Sequence, residues 1–162
     1  MILIAIGSNL PGAKGGPRAT CAAALDRLQT LGVDILATSP WYETAPIPVS
    51  DQPWFVNGVV WVRTSLQPSE LMTLLHQVEA EFGRARTVPN AARVLDLDLL
   101  AYDRHVLGGP LHLPHPRLHE RAFVLYPLRD IAPAWEHPIT GLVPSAMVAA
   151  LPPGQGIRPL TP

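Results

Sequence analysis

Apolar and polar positions along this chain change spacing often enough to mark out its elements in order. Residues 2–7, "ILIAIG", are an apolar run that reads as a first strand. "PRATCAAALDRLQTLG" reads as a helix from about Arg18 to Leu31, closed by Gly32. A strand follows from about Val33 to Trp41, then a proline-punctuated loop, "TAPIPVSDQP". "WFVNGVVWVRTS", rich in β-branched and aromatic residues, marks a strong strand. The clearest helical pattern is "PSELMTLLHQVEAEFG". Leu71, Leu74, Leu75, Val78 and Phe82 share one face, Pro68 stands near the first turn and Gly83 just past the end. After the polar loop "RARTVPNAA" comes a further strand, "RVLDLDLLAYD", then a Gly/Pro turn near residues 108–110 and the loop "LPHPRLHE". "RAFVLYPLRDIA" is expected to be a short helical segment interrupted at Pro127, and the proline-rich tail over 152–162 to be loosely ordered.

The order β, α, β, β, α, β predicts an α+β fold, a ferredoxin-like βαββαβ sandwich with helices packed on an antiparallel sheet. A length of 162 residues suits one domain, here 1–162, and 48% apolar against 15% charged residues supplies a core rather than a disordered chain. With a net charge of −1, no global field favours nucleic acid or an anionic membrane, so any anion site must be local. The lone cysteine, Cys21, excludes a disulfide framework and a cysteine zinc site. The N-terminal apolar run is too short for a signal peptide, and no segment approaches the roughly 18 apolar residues that span a bilayer. The expectation is a cytoplasmic monomer.

The acidic strand is where the pattern breaks its own rule. Side chains alternate faces along a strand, so Leu95, Leu97 and Leu99 share one face while Val94, Asp96, Asp98 and Leu100 share the other. Two carboxylates about 7 Å apart on one face repel unless something positive sits near them. The residues alone leave two readings, a solvated sheet face or a site for a hard cation such as magnesium, which takes one or two carboxylates plus substrate phosphates. Arg84, Arg86, Arg93, Arg117 and Arg121 flank the pair, and the planar guanidinium suits phosphate recognition. "GSNLPGAKG" fails as a phosphate loop, because Ala13 separates Gly12 from Lys14 and Gly15 stands where a hydroxyl is required; a turn capped by Ser8 or Asn9 is expected instead. His112, His115 and His119 lack zinc spacing, since Pro114 and Pro116 break any helix that would align them. Asn57, an amide inside a strand of Val, Trp and Gly, costs stability unless its donors and acceptors are used.

Taken together, "AIGSNL", "YETAPI", "DQPWFVNGVV", "VEAEFGRAR", "RVLDLDLLAYD" and "LPHPRLHERAFVLYPLRDIAP" resemble the 6-hydroxymethyl-7,8-dihydropterin pyrophosphokinases. The resemblance implies transfer of diphosphate from ATP to a pterin alcohol in folate biosynthesis, with ATP and 6-hydroxymethyl-7,8-dihydropterin as substrates. It implies that Asp96 and Asp98 hold two magnesium ions, that Phe55 and Phe123 sandwich the pterin, and that Asn57 bonds its edge, with backbone groups of Thr44, Ala45 and Ile47 completing the pocket. Glu79, Arg86, His115 and Arg121 would contact ATP, while Arg84 and Arg93 would act in catalysis as the site closes. The chain departs from the family pattern where a Trp-Gly-Pro stretch is usual and "NAARV" stands, at His76 where glutamine is usual, and at Pro110 where arginine is frequent. Two other readings use the same fold, a binding module without catalysis and a different magnesium-dependent phosphoryl or nucleotidyl transferase. Release of AMP rather than ADP separates the first reading from both.

Overall fold

One antiparallel sheet carries an apolar core on each face, and the two cores are closed by different helix pairs. The structure, a computed structural model, describes residues 1–83 and 92–161. In chain order the first half holds β1 (Ile2–Ser8), α1 (Pro17–Thr30), β2 (Asp34–Thr38), β3 (Tyr42–Thr44), β4 (Phe55–Arg63), α2 (Pro68–Glu81) and β5 (Asp96–Tyr102). The second half adds the short pair β6 (Leu107–Gly108) and β7 (His112–Leu113), a 3-10 turn at Leu118–Glu120, α3 (Ala122–Ile131), α4 (Pro144–Ala149) and β8 (Ile157–Pro159). The main sheet runs β5-β1-β4-β3-β8, with β2 also paired to β4. This is the α+β sandwich expected from the sequence, with α3, α4 and β8 added to it.

Alternation along the strands sorts the side chains. Ile4 and Ile6 of β1 join Leu97 and Leu99 of β5 under Leu25 and Leu28 of α1 and Leu71, Leu75 and Val78 of α2. On the opposite face Leu3, Ala5, Val59 and Leu100 pack beneath Val124, Leu125 and Leu128 of α3 and Met147 of α4. The second helix pair therefore covers the face on which the two acids were expected.

Three expectations change. The strand expected over Val33 to Trp41 ends at Thr38 as β2, and a separate strand, β3, starts beyond it at Tyr42, both laid along β4. Pro40 has no N–H to continue a ladder, and Trp41 turns its ring over Gly58, where a Cβ would stand 2.8 Å from ring atoms. At the break the Ser39 hydroxyl oxygen accepts the Val59 N–H at 2.9 Å. α3 runs unbroken through Pro127, because the proline removes only one helical bond, toward the Phe123 carbonyl, while Val124, Leu125 and Leu128 are buried beside it. The tail expected to be loose instead pairs as β8 with β3, and the Leu160 N–H donates to the Trp41 carbonyl at 2.9 Å.

Candidate active site

Register places the acids. In the antiparallel ladder Asp98 lies opposite Ala5, and Asp96 lies opposite Gly7. Gly7 in turn lies opposite Asn57, and Asn57 opposite Tyr42. Residues directly opposite share a face, so one row crosses four strands as Asp96, Gly7, Asn57, Tyr42. The face is that of Ala5 and Val59, as the alternation of the acidic strand predicted. Asp96 and Asn57 both line a cavity of about 640 Å³, walled by Thr44–Val49, Phe55, Arg93, Arg121, Phe123 and Pro152–Gly156.

Gly7 lets this row exist. A Cβ there would fall 2.4 Å from Asn57 Oδ1, so only glycine leaves the amide in its place. On its other side the Asn57 amide donates to the Thr44 hydroxyl, which fixes its plane. The polar residue that stood out in a β-rich strand thus has its partner in β3, the neighbouring strand.

Part of the positive charge that the acid pair requires comes from the chain itself. Arg93 Nη1 donates to Asp96 Oδ2 at 3.0 Å. Arg121 is pulled down by burial and held up by the nearby Asp98 and Asp96 carboxylates, so its cation lies within their field. Its guanidinium also lies over the Phe123 ring, 5.3 Å from the centroid. Arg117 and Glu120 complete the charged wall, paired at 3.3 Å. Among the described residues no three His, Cys, Asp or Glu side chains gather to enclose a metal. Two carboxylates on one strand face, with Asp96 at the cavity, suit magnesium, which keeps its waters and shares phosphate oxygens, better than a cation that requires a full protein cage.

Residues 3–133 match the family described as 7,8-dihydro-6-hydroxymethylpterin-pyrophosphokinase (HPPK). A Pseudomonas aeruginosa 2-amino-4-hydroxy-6-hydroxymethyldihydropteridine pyrophosphokinase is 40% identical over 161 residues, covering 98% of this chain and 96% of the relative. The Bacillus subtilis protein of the same name is 41% identical over 131 residues, 79% of this chain and 75% of that one. The chain belongs to the HPPK family. A folic acid synthesis protein fol1 from Pneumocystis carinii is 39% identical over 87% of this chain, a match that spans only 19% of that longer protein. In fold, a solved Plasmodium falciparum HPPK-DHPS triple mutant superposes with a TM-score of 0.72 over 92% of this chain and 44% of that one, at 14% identity.

Against the HPPK expectations, the cavity gathers Thr44, Ala45, Ile47, Phe55, Asn57, Arg93, Asp96, Arg121 and Phe123. Asp98 follows one pleat on from Asp96, on the same face. Glu79 sits elsewhere. It is buried behind the sheet, and its Oε2 accepts the Leu97 N–H at 2.8 Å on the outer edge of β5. His115 holds the same edge, its N–H donating to the Leu100 carbonyl at 2.8 Å. Its Nδ1 accepts the Arg117 N–H at 3.1 Å, which leaves the proton on Nε2. Burial above all, with the cation of Arg121, pushes the His115 pKa down to about 4, so the ring is neutral near pH 7. Arg84 and Arg86 lie outside the described residues.

Two features escaped the sequence reading. α1 starts from Gly16 without a side-chain cap, so neither Ser8 nor Asn9 serves there. Asn9 instead ties three segments together. Its Oδ1 accepts the Arg93 N–H at 2.7 Å, and its Nδ2 donates to Gln52 Oε1 at 3.2 Å and to the Pro53 carbonyl at 3.1 Å. The signal was present, since a buried amide at the end of an apolar strand poses the question that Asn57 posed. The wall at Pro152–Gly156 carried no such signal.

Proposed function

We infer that this chain transfers a diphosphate group from ATP to the hydroxymethyl group of 6-hydroxymethyl-7,8-dihydropterin, releasing AMP, in folate biosynthesis. The observation that carries the reading is the cross-strand row that brings a carboxylate, Asp96, and an edge-reading amide, Asn57, onto one cavity wall. A flat heterocycle suits the Asn57 end, between the rings of Phe55 and Phe123, with backbone groups of Thr44, Ala45 and Ile47 as further hydrogen-bond partners. A polyphosphate suits the other end, where Asp96 and Asp98 would hold two magnesium ions and Arg93 and Arg121 offer guanidinium groups. When bound, magnesium supplies neutralisation of phosphate charge.

In this reading the hydroxymethyl oxygen attacks the β-phosphorus, the bond from that phosphorus to the α,β-bridging oxygen breaks, and the hydroxyl proton is released. The chain's task is alignment and charge, not covalent chemistry. Asn57 fixes the pterin edge. Arg93 exchanges its contact with Asp96 for phosphate, and Arg84 and Arg86 join it from outside the described segment. His115 offers an uncharged Nε2–H to ATP, and Glu79 serves ATP by holding β5 straight behind the acids. We take residues 1–162 as one catalytic domain working as a cytoplasmic monomer, a reading to which the free, buried thiol of Cys21 is suited. No helix among the described residues is long and apolar enough to cross a membrane.

Nucleotide analysis tests the reaction. With ATP, magnesium and the pterin alcohol, AMP is expected to form one-to-one with pterin diphosphate. ADP as product, or ATP turnover indifferent to the pterin, contradicts the reading.

A further inference from the structure

Residues 152–156 lie beyond the segment matched to the family, 3–133, yet they wall one side of the cavity. This strap is bonded on both sides. Toward β3, the Ala45 N–H donates to the Gly156 carbonyl at 2.9 Å, extending the β3–β8 ladder toward the pocket. The approach is close, since a Cβ on Gly156 would stand 3.1 Å from both the Ala45 Cβ and the Trp54 ring. Toward α3, the residue before Gly156 turns its whole side chain to backbone groups. Gln155 Oε1 accepts the Ala122 N–H at 2.8 Å, and Gln155 Nε2 donates to the Glu120 carbonyl at 2.9 Å.

Those two bonds bracket Arg121. The first N–H groups of a helix lack partners within it, and α3 has no side-chain cap from its own N-cap residue, Arg121. Gln155 supplies that cap from 33 residues further along the chain. It also binds the carbonyl just before Arg121, so the backbone on both sides of that residue is pinned to the strap. The strap is in turn pinned to Ala45. Through Gly156 on one side and the Gln155 amide on the other, the strap therefore links the β3 wall of the cavity to the wall that carries Phe123.

We propose that Gln155 is a positioning residue for the heterocycle pocket, its amide setting how far the Phe123 wall stands from the Thr44–Asn57 wall. This rests on the reading of the cavity as the pterin site. A stacked ring tolerates little change in separation, whereas Arg121, at the end of a long flexible stem, can follow a phosphate when its backbone shifts. Loss of the brace should thus act on the pterin more than on the nucleotide.

The test measures two dissociation constants in Gln155→Ala, Gln155→Glu and Asn57→Ala. One is for α,β-methylene-ATP with magnesium, and the other is for 6-hydroxymethyl-7,8-dihydropterin in its presence, read by tryptophan fluorescence, to which Trp54 contributes. Gln155→Ala should weaken the pterin about fivefold or more and the nucleotide by less than about twofold, with a melting temperature within about 4 °C of the wild type. Gln155→Glu, which keeps the acceptor for Ala122 and loses the donor to Glu120, should fall between. It carries the same test alone if Gln155→Ala does not fold. Wild-type pterin affinity in the Gln155 variants overturns the proposal, as does equal weakening of both ligands with a lowered melting temperature. If Asn57→Ala weakens the pterin and the Gln155 variants do not, the brace fails while the pocket stands. If wild-type protein binds no pterin, the reading of the site fails with it.

Discussion

Gly7 contributes to the site through the side chain it lacks. Flanked by Asp96 on one strand and Asn57 on the other, it leaves the gap into which the Asn57 amide oxygen reaches. Gly7→Ala should push that amide off its Thr44 partner and weaken pterin binding by about 1–3 kcal/mol, as Asn57→Ala should. Because both changes remove one interaction, the double variant should bind no worse than Asn57→Ala alone. Calorimetric titration of the three proteins checks this, and additive losses would mean that Gly7 acts elsewhere. At this scale the sequence was legible where a polar residue stood inside an apolar strand, and not at Asn9, which stands at the end of one. Asn57, Asp96 and Asp98 broke a local pattern and so stood out, and the arginines flanking the acids include Arg93 and Arg121, which the structure brings to them. Gln155 broke no pattern, because an amide between two glycines in a proline-rich tail looks like solvent-facing loop until its partners at 120 and 122 are known.

Among the elements, β5 has the most demanding position. It is an edge strand, and an unpaired edge is open to misalignment just where two carboxylates need fixed spacing. Glu79 from α2 and the His115 backbone cover that edge, at Leu97 and at Leu100. His115 gives this packing a pH signature. Its ordinary pKa is 6.5, and in the fold burial and Arg121 push it down to about 4 against the opposing pull of Asp96. As pH falls the unfolded chain therefore takes up this proton first, so the stability that neutral His115 contributes is present above about 6.5 and is lost as pH falls toward about 4. Melts of the wild type and His115→Gln between those limits should show a steeper loss in the wild type, and matching slopes would refute the assignment. The sequence predicted β5 and α2 well because both are long and strongly patterned. It missed the break at Pro40 and the continuity through Pro127, since in each case the deciding contact, Trp41 on Gly58 or α3 on the sheet, lies outside the local window.

Across the whole molecule, the fold brings the acid pair and the cavity beside Asn57 onto the same sheet face, with α3 and the C-terminal strap closing the space above them. That face is legible from strand alternation, but its roof is not. The roof depends on where α3 and residues 152–156 pack, which alternation within one strand does not encode. The central claim is that Asp96 and Asp98 serve the nucleotide rather than the fold. It is tested most directly by thermal melts of the wild type, Asp96→Asn and Asp98→Asn, each with and without saturating Mg-ATP. Without ligand, both variants should melt within about 3 °C of the wild type or slightly above it, because neutralising one acid relieves repulsion and the new amide oxygen still accepts a bond from arginine. Mg-ATP at about a hundred times its dissociation constant should raise the wild-type melting temperature by roughly 5–10 °C and leave both variants nearly unmoved. A lowered melting point without ligand, together with a wild-type shift on adding Mg-ATP, would show that the acids hold the sheet and would contradict the account.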